Sequence, residues 1–211
     1  DRVIYTRVDT KGARLWISAV GGSAPIRATT DSSVDGAEFP GAWSPDGAWF
    51  VYLSGGQNTV NLMKVKTSGE AAPVLLKSNL DESHLPDWSR DGQWIVCGTL
   101  LISADGKTER TLKPYLSPHL VFSKDSRLLY GIRSENGQNT LFTIDVASGA
   151  EHVIGATNGL APQSNLNPSL HFSLAPDGNS LLYSTGLFRN SLWILEGFNP
   201  PDSFASRLGW R

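Results

Sequence analysis

Three histidines and one glutamate, His84, His119, His171 and Glu38, are the side chains whose type and spacing best suit joint chemistry. Each stands a few residues ahead of a large apolar residue in a phrase that the sequence repeats. The repeat alignment sets His84 and His171 in register, with Glu38 at the corresponding place in an earlier copy and His119 one step off. Imidazoles converging in this way bind a metal ion, an anion or the acidic end of a peptide, and they titrate near neutral pH. The plainer alternative is that each ring hydrogen-bonds a nearby backbone carbonyl. His152, within Glu151-His152-Val153-Ile154, reads as surface.

Other chemistry is excluded by what the sequence lacks. It has no G-x-S-x-G elbow, no G-x-x-x-x-G-K-[ST] phosphate loop and no H-E-x-x-H, so no catalytic residue is assigned and the segment reads as non-enzymatic. Its one cysteine, Cys97, lies in an apolar run and reads as a small core residue. Without a Cys/His cluster of zinc spacing, no metal and no cofactor is assigned. The net charge is −2 and the basic residues are scattered singly, which excludes a nucleic-acid footprint. No hydrophobic stretch approaches the roughly 18 residues of a membrane span.

The elements that must position the histidines follow from the repeat. The phrase reads Trp43-Ser44-Pro45-Asp46-Gly47, Trp88-Ser89-Arg90-Asp91-Gly92, Phe122-Ser123-Lys124-Asp125-Ser126 and Leu174-Ala175-Pro176-Asp177-Gly178. Its aspartates are 45, 34 and 52 residues apart, bracketing the roughly 40–50-residue period of a propeller blade. In the turn, Pro fixes φ, the Asp carboxylate accepts backbone N–H groups and Gly takes the positive φ. Asp46, Asp91, Asp125 and Asp177 are accordingly structural turn residues rather than catalytic carboxylates.

Short apolar runs follow each phrase. Phe50-Val51-Tyr52-Leu53, Trp94-Ile95-Val96-Cys97, Leu128-Leu129-Tyr130 and Leu181-Leu182-Tyr183 read as strands buried on both faces, and Leu62–Val65, Leu141–Ile144 and Leu192–Leu195 as the next strands out. The expected fold is all-β, a propeller of four-stranded antiparallel blades forming one region over 1–211. The approximate blades are 1–30, 31–77, 78–113, 114–156 and 157–211, the first lacking its innermost strand. That gap predicts a fragment of a larger propeller, with a part of the same chain missing before Asp1. The histidines then stand where the innermost strands begin, at one mouth of the central channel. Trp49 and Trp94 share a position just before the apolar strand and are possible partner anchors.

The Trp-Ser-Pro-Asp-Gly phrase, an apolar strand ending in Tyr, then Leu-Trp-x-Ile or Leu-Phe-x-Ile and a Gly turn resemble the TolB-like, WD40-like propeller repeats from Val3 to about Phe198. The resemblance implies a non-catalytic protein-interaction or ligand-sensing module with a protein or peptide partner. It favours the periplasm or another extracytoplasmic setting, and, from the Trp193-Ile194-Leu195-Glu196-Gly197-Phe198 ending, the C-terminal sensor or scaffold part of a larger bacterial regulator or receptor kinase. The alternative it implies is the gating propeller of a prolyl oligopeptidase-like serine peptidase whose hydrolase domain lies outside this chain.

Overall fold

Serine, not only aspartate and glycine, makes the repeated turn. In a computed structural model, which describes residues 2–10, 12–22, 24–29, 36–56, 60–68, 72–80, 84–112, 119–135, 138–156, 172–175 and 180–183, Ser44 Oγ donates to Asp46 Oδ1 at 2.5 Å and accepts the Trp49 N–H at 2.9 Å. The same Asp46 oxygen accepts the Ala48 N–H at 3.0 Å, and Gly47, at φ 68°, donates its N–H to the Ser44 carbonyl. Ser89 with Asp91 and Ser123 with Asp125 repeat the pattern. Each turn thereby satisfies its own polar groups and fixes the register of the strand pair it joins.

In the copy that has Ser126 for Gly, the serine adopts φ 61°. A left-handed side chain costs about 1–2 kcal/mol. The Ser126 hydroxyl offsets part of this by accepting the Asp91 N–H of the preceding blade at 3.0 Å.

The described residues form five antiparallel sheets. The first contains β1 (Arg2–Asp9), β2 (Gly12–Ala19) and β3 (Ile26–Arg27). The second contains β4 (Ala37–Trp43), β5 (Trp49–Gly55), β6 (Val60–Lys66) and β7 (Val74–Leu80), in that order. The third contains β8 (Asp87–Trp88), β9 (Trp94–Cys97), β10 (Leu100–Ser103) and β11 (Glu109–Thr111), and the fourth β12 (Leu120–Phe122), β13 (Leu128–Glu135), β14 (Gln138–Asp145) and β15 (Glu151–Ala156). A pair, β16 (Phe172–Leu174) and β17 (Leu181–Tyr183), makes the fifth. The all-β blade architecture is as the sequence predicts, and the first sheet has three strands. Among the described residues there is no helix long and apolar enough to cross a membrane.

Side chains alternate across a strand, so a strand sandwiched between blades must be apolar at every position. β5 shows this directly. Phe50 and Tyr52 pack with Leu15, Ile17 and Met63 in the seam to blade one, while Val51 and Leu53 pack with Ile95, Cys97 and Ile102 in the seam to blade three. Val96 and Leu101 meet Leu120, Phe122, Leu129 and Phe142 in the next seam, and Val121 and Ile132 meet Phe172 and Leu181 in the last. The hydrophobic core is thus a series of seams between sheets.

Candidate functional site

The four innermost strands, β4, β8, β12 and β16, bring together a cleft of about 540 Å³. Its walls are mostly apolar: Ala42 from β4, Pro86 beside β8, Val121 from β12, Phe172 from β16 and Leu182 from β17. Four polar side chains face it, Asp87, Arg90, His119 and Ser173. Gly41 is required where β4 comes closest to blade three. A Cβ there would stand 2.4 Å from Pro86 Cγ and 2.6 Å from the Val51 carbonyl oxygen.

Among the described residues, His119 is the predicted histidine that lines this cleft. Its Nε2 lies 3.2 Å from the Phe172 carbonyl oxygen, and its ring stands edge-on to Phe172 with centroids 5.5 Å apart. Because a carbonyl only accepts, that contact requires the proton on Nε2. His84 is not among the cleft residues. Its carbonyl accepts the Cys97 S–H at 3.1 Å, and its ring covers Gly98, where a Cβ would stand 2.7 Å from the ring. His171 and Asp177 lie outside the described residues.

Strand pairing corrects the register assigned to the histidines. Phe122 pairs with Leu129 and Leu174 with Leu181, so Phe122 and Leu174 are equivalent strand ends. His119 and His171 each stand three residues before those ends, whereas His84 stands four before Trp88. By sequence count, then, His119 groups with His171, and His84 is one step apart from them. In blade two a bulge at Gly41 adds one residue between Pro40 and Ala42, which brings Glu38 to the step of His84.

Glu38 turns away from the cleft. It is 5% exposed, and its Oε2 accepts the Leu15 N–H at 2.8 Å and the Thr29 hydroxyl at 2.9 Å. The carboxylate thereby joins β4 to the first blade. Trp49 is half-buried, with Lys64 Nζ 5.0 Å and Lys66 Nζ 5.6 Å from its ring centroid. Trp94 lines a separate groove between blades three and four. Among the described residues no cluster of His, Cys, Asp and Glu could hold a metal ion.

Asp87 is the site residue that sequence reasoning missed. Its Oδ2 accepts the Phe122 N–H at 2.8 Å, linking the innermost strands of blades three and four. Burial pushes its carboxyl group above the ordinary carboxylate range, against the pull of the Phe122 N–H and Arg90. The signal was Asp87 in a strand position that Ala42, Val121 and Ser173 fill elsewhere.

A raised folded-state value means that the native chain holds this proton more tightly than the unfolded chain does. Stability from Asp87 therefore declines as pH rises from the unfolded carboxylate value, about 3.9, through the raised folded value, and stays lower above it. Asp87→Asn is expected to flatten that decline. Urea midpoints of both proteins from pH 4 to 8 check it, and parallel curves would refute it.

The turn carboxylates behave oppositely. Ser103 Oγ donates to Asp105 Oδ1 at 2.6 Å, which, with the Lys107 N–H, lowers Asp105 to about 2. The Ser44 and Ser123 hydroxyls likewise hold Asp46 and Asp125 below their ordinary value. The Ser103-Ala104-Asp105-Gly106 turn joins β10 to β11 and is the repeated turn reused between outer strands. Its Ser-x-Asp-Gly spelling was visible, but no apolar run of the expected length follows it.

Cations lock the seams. Arg2 Nη2 donates to the Gly47 carbonyl at 2.9 Å, Lys64 Nζ to Ala104 at 2.6 Å and Arg110 Nη1 to Ala147 at 2.9 Å, each reaching a turn of the next blade. Partial burial lowers the Lys64 ammonium from its usual value, while nearby Asp105 acts the other way.

No family model matches the sequence, and neither does any curated protein. Solved structures do match. TolB from Acinetobacter baumannii superposes with a TM-score of 0.63 at 14% identity, covering 86% of this chain and 46% of that one. An oligogalacturonate lyase in complex with manganese gives 0.59 at 11% identity, covering 80% and 52%. A prolyl endopeptidase gives 0.51 at 13% identity, covering 75% and 28%. These likenesses show the fold, a TolB-like β-propeller, and the chain spans about half the length of the first two.

Proposed function

We propose that this chain is a non-catalytic interaction or ligand-sensing propeller module, and that a protein or peptide partner binds in the cleft among its innermost strands. The observation that carries this reading is the composition of the cleft. Four blades supply apolar walls, while Asp87, Arg90, His119 and Ser173 supply the polar groups. Asp87 is engaged by the Phe122 N–H and His119 by the Phe172 carbonyl, so two of the four polar groups are held by the scaffold. A mostly apolar concavity with a few fixed polar groups suits recognition of a side chain or peptide segment. As a part of a larger bacterial regulator or receptor kinase, the module would sense that partner.

The second reading, the gating propeller of a serine peptidase, draws on the likeness to a prolyl endopeptidase. Labelling the native full-length protein with a fluorophosphonate separates the two. Silence is expected, and labelling would establish the peptidase. The cleft itself is tested by Ser173→Arg with Leu182→Arg, because both positions are exposed lining residues. Crosslinking in the native cell is expected to lose its partner band in this double variant while the fold, read by circular dichroism, is kept. An unchanged band would remove the cleft from the proposal.

A further inference from the structure

Trp49 and Trp94 occupy equivalent places in adjacent blades but have different surroundings. Beside Trp49, Lys64 fills the seam and reaches the Ala104 carbonyl. Strand pairing sets Val51 opposite Lys64 and Val96 opposite Leu101, so blade three has buried Leu101 where blade two has the lysine. The next seam consequently keeps a groove of about 440 Å³, lined by Trp94, Asp91, Arg110, Ser126, Arg127 and Asp145 among others. It shares no residue with the channel cleft.

The acids of this groove are committed to their own turns. Asp91 Oδ1 accepts the Ser89 hydroxyl and the Gln93 N–H, and Asp145 Oδ1 accepts the Ala147 and Ser148 N–H groups and the Ser148 hydroxyl. Ser126 already accepts the Asp91 N–H. The guanidinium groups are not so committed. Arg110 uses Nη1 on the Ala147 carbonyl, but its Nε is buried without an acceptor. Arg127 is exposed; among the described residues no hydrogen bond engages its side chain, and its charge lies near enough to Asp145 and Asp125 to help hold both carboxyl groups below their ordinary value. The groove therefore keeps guanidinium N–H donors with bonding capacity left, beside two acids whose Oδ1 atoms are taken by their own turns.

We propose that this groove binds a carboxylate of an acidic partner peptide, with Arg110 and Arg127 as donors beside the ring of Trp94. A guanidinium donates in a planar fork that matches a carboxylate, which neither a lysine nor the neighbouring seam offers. Asp91 and Asp145 leave the formal charge of the groove near zero, so selectivity comes from hydrogen-bond fit rather than long-range attraction. The site is independent of the channel and stands whether or not the cleft binds anything.

The test is a calorimetric titration of the 211-residue chain with N-acetylated hexaglutamate and, separately, hexalysine. Hexaglutamate is expected to bind and hexalysine not to. Arg127→Gln and Arg110→Lys should each weaken binding about tenfold, the worth of one charge-assisted hydrogen bond. Lys124→Gln, on an exposed lysine outside the groove, should leave it unchanged. Arg110 also holds the seam, so Arg127→Gln decides the matter if Arg110→Lys perturbs folding. Absence of hexaglutamate binding, binding unaltered in Arg127→Gln, or equal weakening in Lys124→Gln would each overturn the proposal.

Discussion

Glu38→Ala is expected to destabilise the chain by about 2–4 kcal/mol, as the loss of two charge-assisted hydrogen bonds inside a seam. The carboxylate accepts the Leu15 N–H and the Thr29 hydroxyl, and both residues are at most 2% exposed. With the acceptor deleted, neither donor has water to turn to. The backbone N–H of Leu15 is the costlier of the two, because it cannot rotate away as a hydroxyl can. Glu38→Gln retains an acceptor oxygen of nearly the same reach and should cost only about 1 kcal/mol. Tyr52 reports on the same charge: burial foremost, and Glu38 second, push its phenol above its ordinary value. Urea unfolding of the three proteins checks the ranking. An alanine variant within about 0.5 kcal/mol of the parent, the usual scale of a surface substitution, would show that Glu38 does not pin blade one to blade two.

Glu38 also illustrates why the fold was more legible than the site. Turn and strand signals are local. A Ser-x-Asp-Gly phrase followed by four apolar residues carries its own hydrogen bonds and its own two-sided burial, so the sequence alone located β5 and β9 and implied sheets stacked face to face. The direction of a side chain at the start of an innermost strand is not local. It depended on a bulge at Gly41, which moved Glu38 by one step, and on a donor 23 residues earlier in the chain. Asp87 was hidden for the same reason, since its partner Phe122 belongs to the next blade. The seam cations were equally hidden: Lys64 and Arg110 reach their carbonyls only after the blades have stacked. The histidines were visible as residue types, yet of His84 and His119, the two predicted ones among the described residues, His119 alone lines the cleft.

Phe142→Ala is expected to have the largest effect of any single substitution considered, about 3–5 kcal/mol. The reason lies in a volume exchange between blades. Trp43 pairs with Phe50 and Phe122 with Leu129, which makes Tyr52 of β5 equivalent to Gly131 of β13. Tyr52 pairs with Met63, and Gly131 pairs with Phe142. Blade four has therefore moved its ring from one strand to the other. Phe142, fully buried, lies so close over Gly131 that a Cβ there would stand 2.4 Å from the Phe142 Cζ and 2.7 Å from Leu120 Cδ2. Arg133 also stands 5.2 Å from the Phe142 ring centroid while pairing with Glu151 at 2.6 Å.

Removing the ring leaves a void bordered by a residue that has no side chain with which to fill it, so the site can collapse only by moving strands. If volume rather than ring position is what the seam requires, the pair can be exchanged as blade two has it. Gly131→Tyr alone should be severely destabilising, because the phenol has no room beneath Phe142. Gly131→Tyr with Phe142→Met should recover at least half of the loss seen in either damaging single variant. Thermal unfolding of Gly131→Tyr, Phe142→Met and the double variant measures that coupling directly. Strict additivity of the costs would mean that blades two and four solve the same packing problem in unrelated ways, and that the equivalence of Tyr52 and Gly131 holds for the backbone alone.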